Sequence, residues 1–105
     1  MQKLVFIIQL RDDMTREEAF RYWREVHGPV AARLPGLRKY VQNHATSAPE
    51  GDLSFGGIAE LWFDNPEAVE SAMASPEWAA TIADAGNFAR LELSWPALVD
   101  EIAVV

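Results

Sequence analysis

Two histidines, His27 and His44, are the only side chains in this 105-residue chain whose ordinary pKa suits proton transfer near neutral pH. His27 lies four residues after Trp23 and three before Val30, which puts it on the apolar stripe of a helical segment, beside the Gly28-Pro29 step. A histidine there can act as a general acid or base, or can be a core imidazole bonded to a backbone carbonyl. His44 closes an extended segment just before a long loop. It can hold or orient an oxygen, or simply be solvated. Two histidines without a nearby carboxylate make a poor metal set, and no metal is expected. Glu60 lies in the apolar run GIAELWF, where an unpaired carboxylate would be costly to bury. It is either a catalytic group or the partner of Arg38 or Lys39 on a neighbouring strand, and the pairing is the favoured reading. Trp23, Tyr40, Trp62 and Trp78 can wall an aromatic pocket or serve as plain core.

The elements that position these residues follow from periodicity and caps. Residues 3–10, KLVFIIQL, read as a central strand. Thr15 and Glu18 form a capping-box pattern ahead of apolar residues at helical spacing, which predicts a helix from 16 to about 33. Gly28-Pro29 should kink or split it, because proline removes a backbone donor. Residues 37–45 read as strand two, with Arg38, Tyr40, Gln42 and His44 on one side and Leu37, Lys39, Val41 and Asn43 on the other. Residues 46–56 form a loop in which Leu53 and Phe55 can fold over a pocket as a lid or be a plain connection. Residues 57–63 make strand three, with Ile58, Glu60 and Trp62 on one side. Asn65-Pro66 and Ser75-Pro76 begin helices near 66–74 and 76–84. Trp95-Pro96 suggests an extended or turning segment, and residues 98–104 the last strand.

The order βαββαβ is the ferredoxin-like pattern, an α+β fold whose antiparallel sheet carries both helical regions on one face. Large apolar groups on both sides of so small a sheet imply that both sides are covered, and a second copy of the chain across a two-fold axis would do this. The length is that of one domain spanning 1–105.

Composition narrows the function. The net charge is −7, so nucleic acid and anionic membrane surfaces are not expected partners. The charge is uneven: residues 1–52 carry eight basic and seven acidic groups, residues 53–105 one basic and nine acidic. The absence of cysteine excludes disulfides, thiolate nucleophiles and cysteine-based zinc sites, and fits a cytoplasmic protein. No apolar run approaches the roughly 18 residues that a membrane span needs, and the short N-terminal apolar stretch, followed at once by Arg11, Asp12 and Asp13, reads as a strand rather than a signal peptide.

The stretch FRYWREVHGPVAARLPGLRKYVQNH, residues 20–44, resembles the EthD family signature: an aromatic-Trp pair, His-Gly-Pro, Leu-Pro-Gly-Leu, then Tyr-x-x-Asn-His. GGIAELWFDNPEAVESAMASPEW, residues 56–78, resembles that family's second half. The family's usual Asp-x-x-x-Phe-x-Asp before the last strand is missing. The resemblance implies a homodimeric α+β barrel with a small cyclic or aromatic ligand between the sheet and the helices of each monomer. It raises His27 and His44 as candidate catalytic residues, beside Trp23, Tyr40, Asn43, Phe55, Glu60 and Trp62 as candidate ligand-binding ones. No cofactor is expected. Haem, held in distant barrel relatives, is disfavoured because an acidic chain offers few partners for propionates. Two functions remain open. One is a cofactor-independent isomerase, cyclase, decarboxylase or monooxygenase in which His27 moves a proton and His44 polarises an oxygen. The other is a non-catalytic binding or accessory protein of an oxidative degradation pathway. A polar pocket reached by both histidines would favour the first, and a dry apolar cavity the second.

Overall fold

Residues 1–105 are described by a computed structural model. Its strands form where side chains alternate between a covered and an open side. Strand β3 (Gly57–Phe63) is the clearest case: Gly57, Ala59, Leu61 and Phe63 are buried, while Ile58, Glu60 and Trp62 lie on the other side and are only partly covered. β3 pairs antiparallel with β1 (Gln2–Ile8) on one edge and with β2 (Lys39–His44) on the other. β4 (Trp95–Val99) pairs antiparallel with β1, and the sheet order is β2-β3-β1-β4. The chain is therefore α+β and ferredoxin-like, as its element order implied.

The last strand runs over 95–99, not 98–104. Lys3 already pairs with Val99 and β1 begins at Gln2, so the ladder has no partner strand for residues beyond 99. The Trp95-Pro96 segment is thus the strand itself, with Pro96 on an edge where its missing N–H is tolerated.

The first helical region runs as α1 (Arg16–Tyr22), a π-helical turn (Trp23–His27) and α2 (Gly28–Ala31). Thr15 caps α1 by accepting from the Glu18 N–H at 3.1 Å, and its hydroxyl bonds the Glu18 carboxylate at 3.0 Å. The helical region divides at Gly28-Pro29, as expected, and the division takes the form of a widened turn just before it, where the Gly28 N–H reaches back to the Trp23 carbonyl. That turn has a packing consequence. Ala19, Trp23, His27 and Ala31 are all buried at a spacing of four. In a regular α-helix such a series drifts by about 40° per step. A π turn absorbs that drift and holds the four on one face.

Helices α3 (Pro66–Met73) and α4 (Pro76–Ala85) start where Asn65 and Ser75 accept from the third amide ahead, at 2.8 and 3.2 Å. All helical segments cover one face of the sheet. The core between the layers is built on Leu4, Trp23, Leu61, Phe63, Val69 and Phe88. Fully burying a side chain of that size contributes about 1.5–3 kcal/mol. No helix is long and apolar enough to cross a membrane.

Candidate functional site

Between sheet and helices lies an apolar cavity of about 220 Å³. Phe6, Leu61, Trp78, Ile82 and Phe88 supply most of its wall, and no lysine, arginine, aspartate or glutamate lines it. Two titratable side chains do: His27, from the end of the π turn, and Tyr40, from the helix-facing side of β2.

His27 is 6% exposed, and its ring meets Phe88 at 5.0 Å between centroids. Its Nδ1 lies 2.8 Å from the Asp84 Oδ2, near the end of α4. The other carboxylate oxygen of Asp84 accepts from the Tyr22 hydroxyl at 2.7 Å, and Asn87 donates to Tyr22 Oη at 2.8 Å. Burial pushes the Asp84 carboxyl up, but the bonds from Tyr22, His27 and Asn87 outweigh it and hold the group below the usual aspartate range. For His27 the balance reverses: burial pulls its pKa below the ordinary value against the opposing pull of Asp84. Burial prevails because the ring is sealed among apolar atoms while the carboxylate stays partly solvated, its side chain 18% exposed. At pH 7 the pair is therefore a neutral imidazole donating Nδ1–H to a carboxylate. Nε2 keeps its lone pair. It has no partner within the chain, and no sealed side-chain nitrogen or oxygen lacks one, so Nε2 is not sealed, and His27 is among the residues that line the cavity. This bond partner is a carboxylate 57 residues away, not the backbone carbonyl that a core histidine would use. No local spacing links Asp84 to His27. Only its place two residues before Gly86, in the last turn of a helix that begins at a clear cap, could have marked it.

The other candidates separate into four places. Trp23 lines the cavity and is 1% exposed. His44 stands behind it, stacked against both Trp23 (4.5 Å) and Phe20 (4.6 Å), and faces an outer groove with Arg16 and Arg24 instead of the cavity. Burial, with the Arg24 charge, lowers its pKa. Its Nε2 bonds the Gln42 Oε1 at 2.8 Å. Asn43, Glu60 and Trp62 occupy the opposite face of the sheet. Glu60 pairs with Lys3 and accepts from Asn43 at 2.8 Å, so its partner comes from β1 and is neither Arg38 nor Lys39. Those bonds, Lys3 first, hold its carboxyl below the usual range. Arg38 pairs with Asp64 instead. Trp62 lies between the ammonium groups of Lys3 and Lys39, each 4.7 Å from its ring. Phe55 sits in the 46–56 loop, where its carbonyl accepts from Arg16 at 2.9 Å; it does not line the cavity and forms no lid over it. Among the described residues, no group of three or more histidine or acidic side chains is placed to hold a metal ion.

Comparison with known proteins agrees with this architecture. The family model of the EthD domain matches residues 11–92. An EthD family protein from Bacillus halodurans C-125 is similar over 97% of this chain and 99% of its own, at 24% identity and a TM-score of 0.83. SnoaB, a cofactor-independent oxygenase from Streptomyces nogalater, is similar at 13% identity with a TM-score of 0.66, covering 99% of this chain and 95% of its own. A dimeric protein of ferredoxin-like fold from Bacteroides fragilis is similar at 19% identity with a TM-score of 0.64, covering 93% and 91%. At these identities the likeness is one of fold. No curated protein matches.

Proposed function

This chain belongs to the EthD family, and from that premise we propose that it is a cofactor-independent enzyme that binds a small cyclic or aromatic molecule in the cavity and moves a proton with His27. The observation that carries the reading is a cavity-lining imidazole whose Nδ1 is tied to Asp84 and whose Nε2 has no partner in the chain. A lone pair in that setting accepts a proton from a substrate C–H or O–H. Asp84 fixes the tautomer and stabilises the imidazolium that forms. Apolar walls keep water from competing. The likeness to a cofactor-independent oxygenase supports a fold suited to such chemistry without naming the reaction.

Hydrogen–deuterium exchange tests it. The protein is incubated in heavy water with enolisable cyclic ketones, lactones and phenols, and the loss of each substrate proton is followed by NMR. The expected result is exchange of at least one compound above the solvent rate, lost in His27→Gln. Binding without exchange would favour a second reading, a non-catalytic binding protein. The wholly uncharged lining of the cavity and the absence of His44 from it speak for that alternative.

A further inference from the structure

Three side chains on the helix-facing side of β2 form a hydrogen-bond chain whose direction can be read. Gln42 Nε2 donates to the Trp23 backbone carbonyl at 2.9 Å. A carbonyl only accepts, so this bond fixes which end of the amide is nitrogen. The same Nε2 lies 2.8 Å from Tyr40 Oη and must donate its second hydrogen there. Gln42 Oε1 then accepts from His44 Nε2–H at 2.8 Å. Tyr40 Oη thus accepts from Gln42, and no acceptor in the chain takes its proton.

Tyr40 borders the cavity. The two aliphatic hydroxyls on the same wall have already committed their protons. Thr81 donates to the Glu77 carbonyl at 2.7 Å, and Ser94 to the Arg90 carbonyl at 2.9 Å. We propose that Tyr40 presents its O–H to the cavity as a donor aimed by Gln42, and that the ligand is an uncharged carbonyl compound whose oxygen receives it. The proposal deepens the function given above and rests on that reading of the cavity. Neutrality follows from the lining: an ionised ligand would be buried without a counter-charge. A carbonyl fits because it offers acceptor lone pairs to Tyr40, and the hydrogen on its α-carbon is acidic enough for His27. In the step so defined, the C–H bond breaks, the proton goes to His27 Nε2, and the electron pair shifts onto the carbonyl oxygen. That enolate oxygen is held by the Tyr40 hydroxyl, a preorganised donor at the site of developing charge. Burial keeps the phenol protonated against the pull of Gln42 and Trp23, so the donor is available at neutral pH.

Two probes of one shape test this: 1-indanone, which has the carbonyl, and indane, which lacks it. Their dissociation constants are measured by quenching of tryptophan fluorescence for the wild-type chain, Tyr40→Phe and His27→Gln. The carbonyl stretch of bound 1-indanone is recorded by infrared difference spectroscopy. The expected result is that the ketone-to-hydrocarbon ratio of dissociation constants rises about two- to tenfold in Tyr40→Phe, the loss of one net hydrogen bond. The ratio should be unchanged in His27→Gln. The bound carbonyl band should lie lower in wild type than in Tyr40→Phe. Equal ratios and equal bands in wild type and Tyr40→Phe would overturn the role of Tyr40 while leaving His27 catalysis standing. A Tyr40-dependent ratio and band without α-proton exchange would uphold the ligand class and sink the catalytic reading. Failure of both probes to bind at their solubility limits would remove the cavity as a ligand site, and both claims with it.

Discussion

His27 and Asp84 behave as one unit, and substitutions should separate their parts. Removing the base in His27→Gln should lower His27-dependent proton exchange by about 10²–10⁴-fold, the usual contribution of a positioned general base. Asp84→Asn keeps the shape but replaces the carboxylate that accepts from both Tyr22 and His27. It should reduce thermal stability by about 1–3 kcal/mol, since two charge-assisted bonds become neutral ones. It should also slow exchange while leaving indane binding unchanged, a split that distinguishes loss of tautomer control from loss of the cavity. The pH dependence follows from the direction of the His27 shift. Its folded pKa lies below its ordinary value, so the unfolded chain takes up a proton first on acidification. Stability linked to this group is complete above about pH 6.5 and declines as pH falls toward the lower folded pKa. His44 is shifted in the same direction and adds to the decline. Differential scanning calorimetry between pH 7 and 5 should therefore show a falling Tm, with a shallower slope in His27→Gln and shallower still when His44→Gln is added. Exchange activity should rise with pH through the same region, because only the neutral imidazole accepts a proton.

At the scale of elements, the close approach of β2 and β3 decides where the aromatic stack lies. Gly57 pairs with His44, and a side chain added at Gly57 would press into the Asn43 carbonyl and meet the Trp23 ring at 3.0 Å. Trp23 in turn supports His44 and forms part of the cavity wall. Gly57→Val should destabilise by about 1–3 kcal/mol through overpacking, read as a lower midpoint in urea unfolding. It should also change the quenching signal of Trp23. If the variant unfolds at the wild-type midpoint, the packing described for this strand pair is wrong. The π turn is the other element that matters. It keeps His27 in line with Ala19, Trp23 and Ala31, where a uniform helix would let each drift by about 40° from the one before. The periodicity of the sequence suggested only a helix with a break. The break packs against β2, where Gln42 donates to the Trp23 carbonyl that also accepts from the Gly28 N–H across the widened turn.

The whole molecule leaves one face of its sheet without helices. Val5, Ile7, Ile58, Trp62 and Trp95 lie on it by register, and Trp95 is 56% exposed. Structurally similar proteins from Bacteroides fragilis and Thermobifida fusca are dimeric. We expect this chain to pair through that face as a homodimer, with a mass by light scattering twice that of the 11.7 kDa chain. The double variant Ile58→Lys, Trp95→Glu should run as a monomer with its helical content intact by circular dichroism. A wild-type monomer at micromolar concentration would end the expectation.

Some of this was fixed by the order of residues alone. Alternation in GIAELWF, capping pairs at Asn65-Pro66 and Ser75-Pro76, and the βαββαβ order determine the elements and the ferredoxin-like fold, because such signals act over a few residues. The same local reading put His27 on a buried stripe and left Trp23, Tyr40, Trp62 and Trp78 as either pocket wall or plain core. It could not sort the two faces of the sheet by function, so Asn43, Glu60 and Trp62 were grouped with a cavity they do not face. It placed the last strand late because apolar character continues past residue 99, whereas the partner strand does not. And it had no means of joining His27 to Asp84 or of giving Lys3 to Glu60, since those pairs are 57 residues apart on helices and on strands that meet only in the sheet. Local propensity reaches a few residues along the chain; a proton path is set by side chains that only tertiary packing brings within hydrogen-bonding distance.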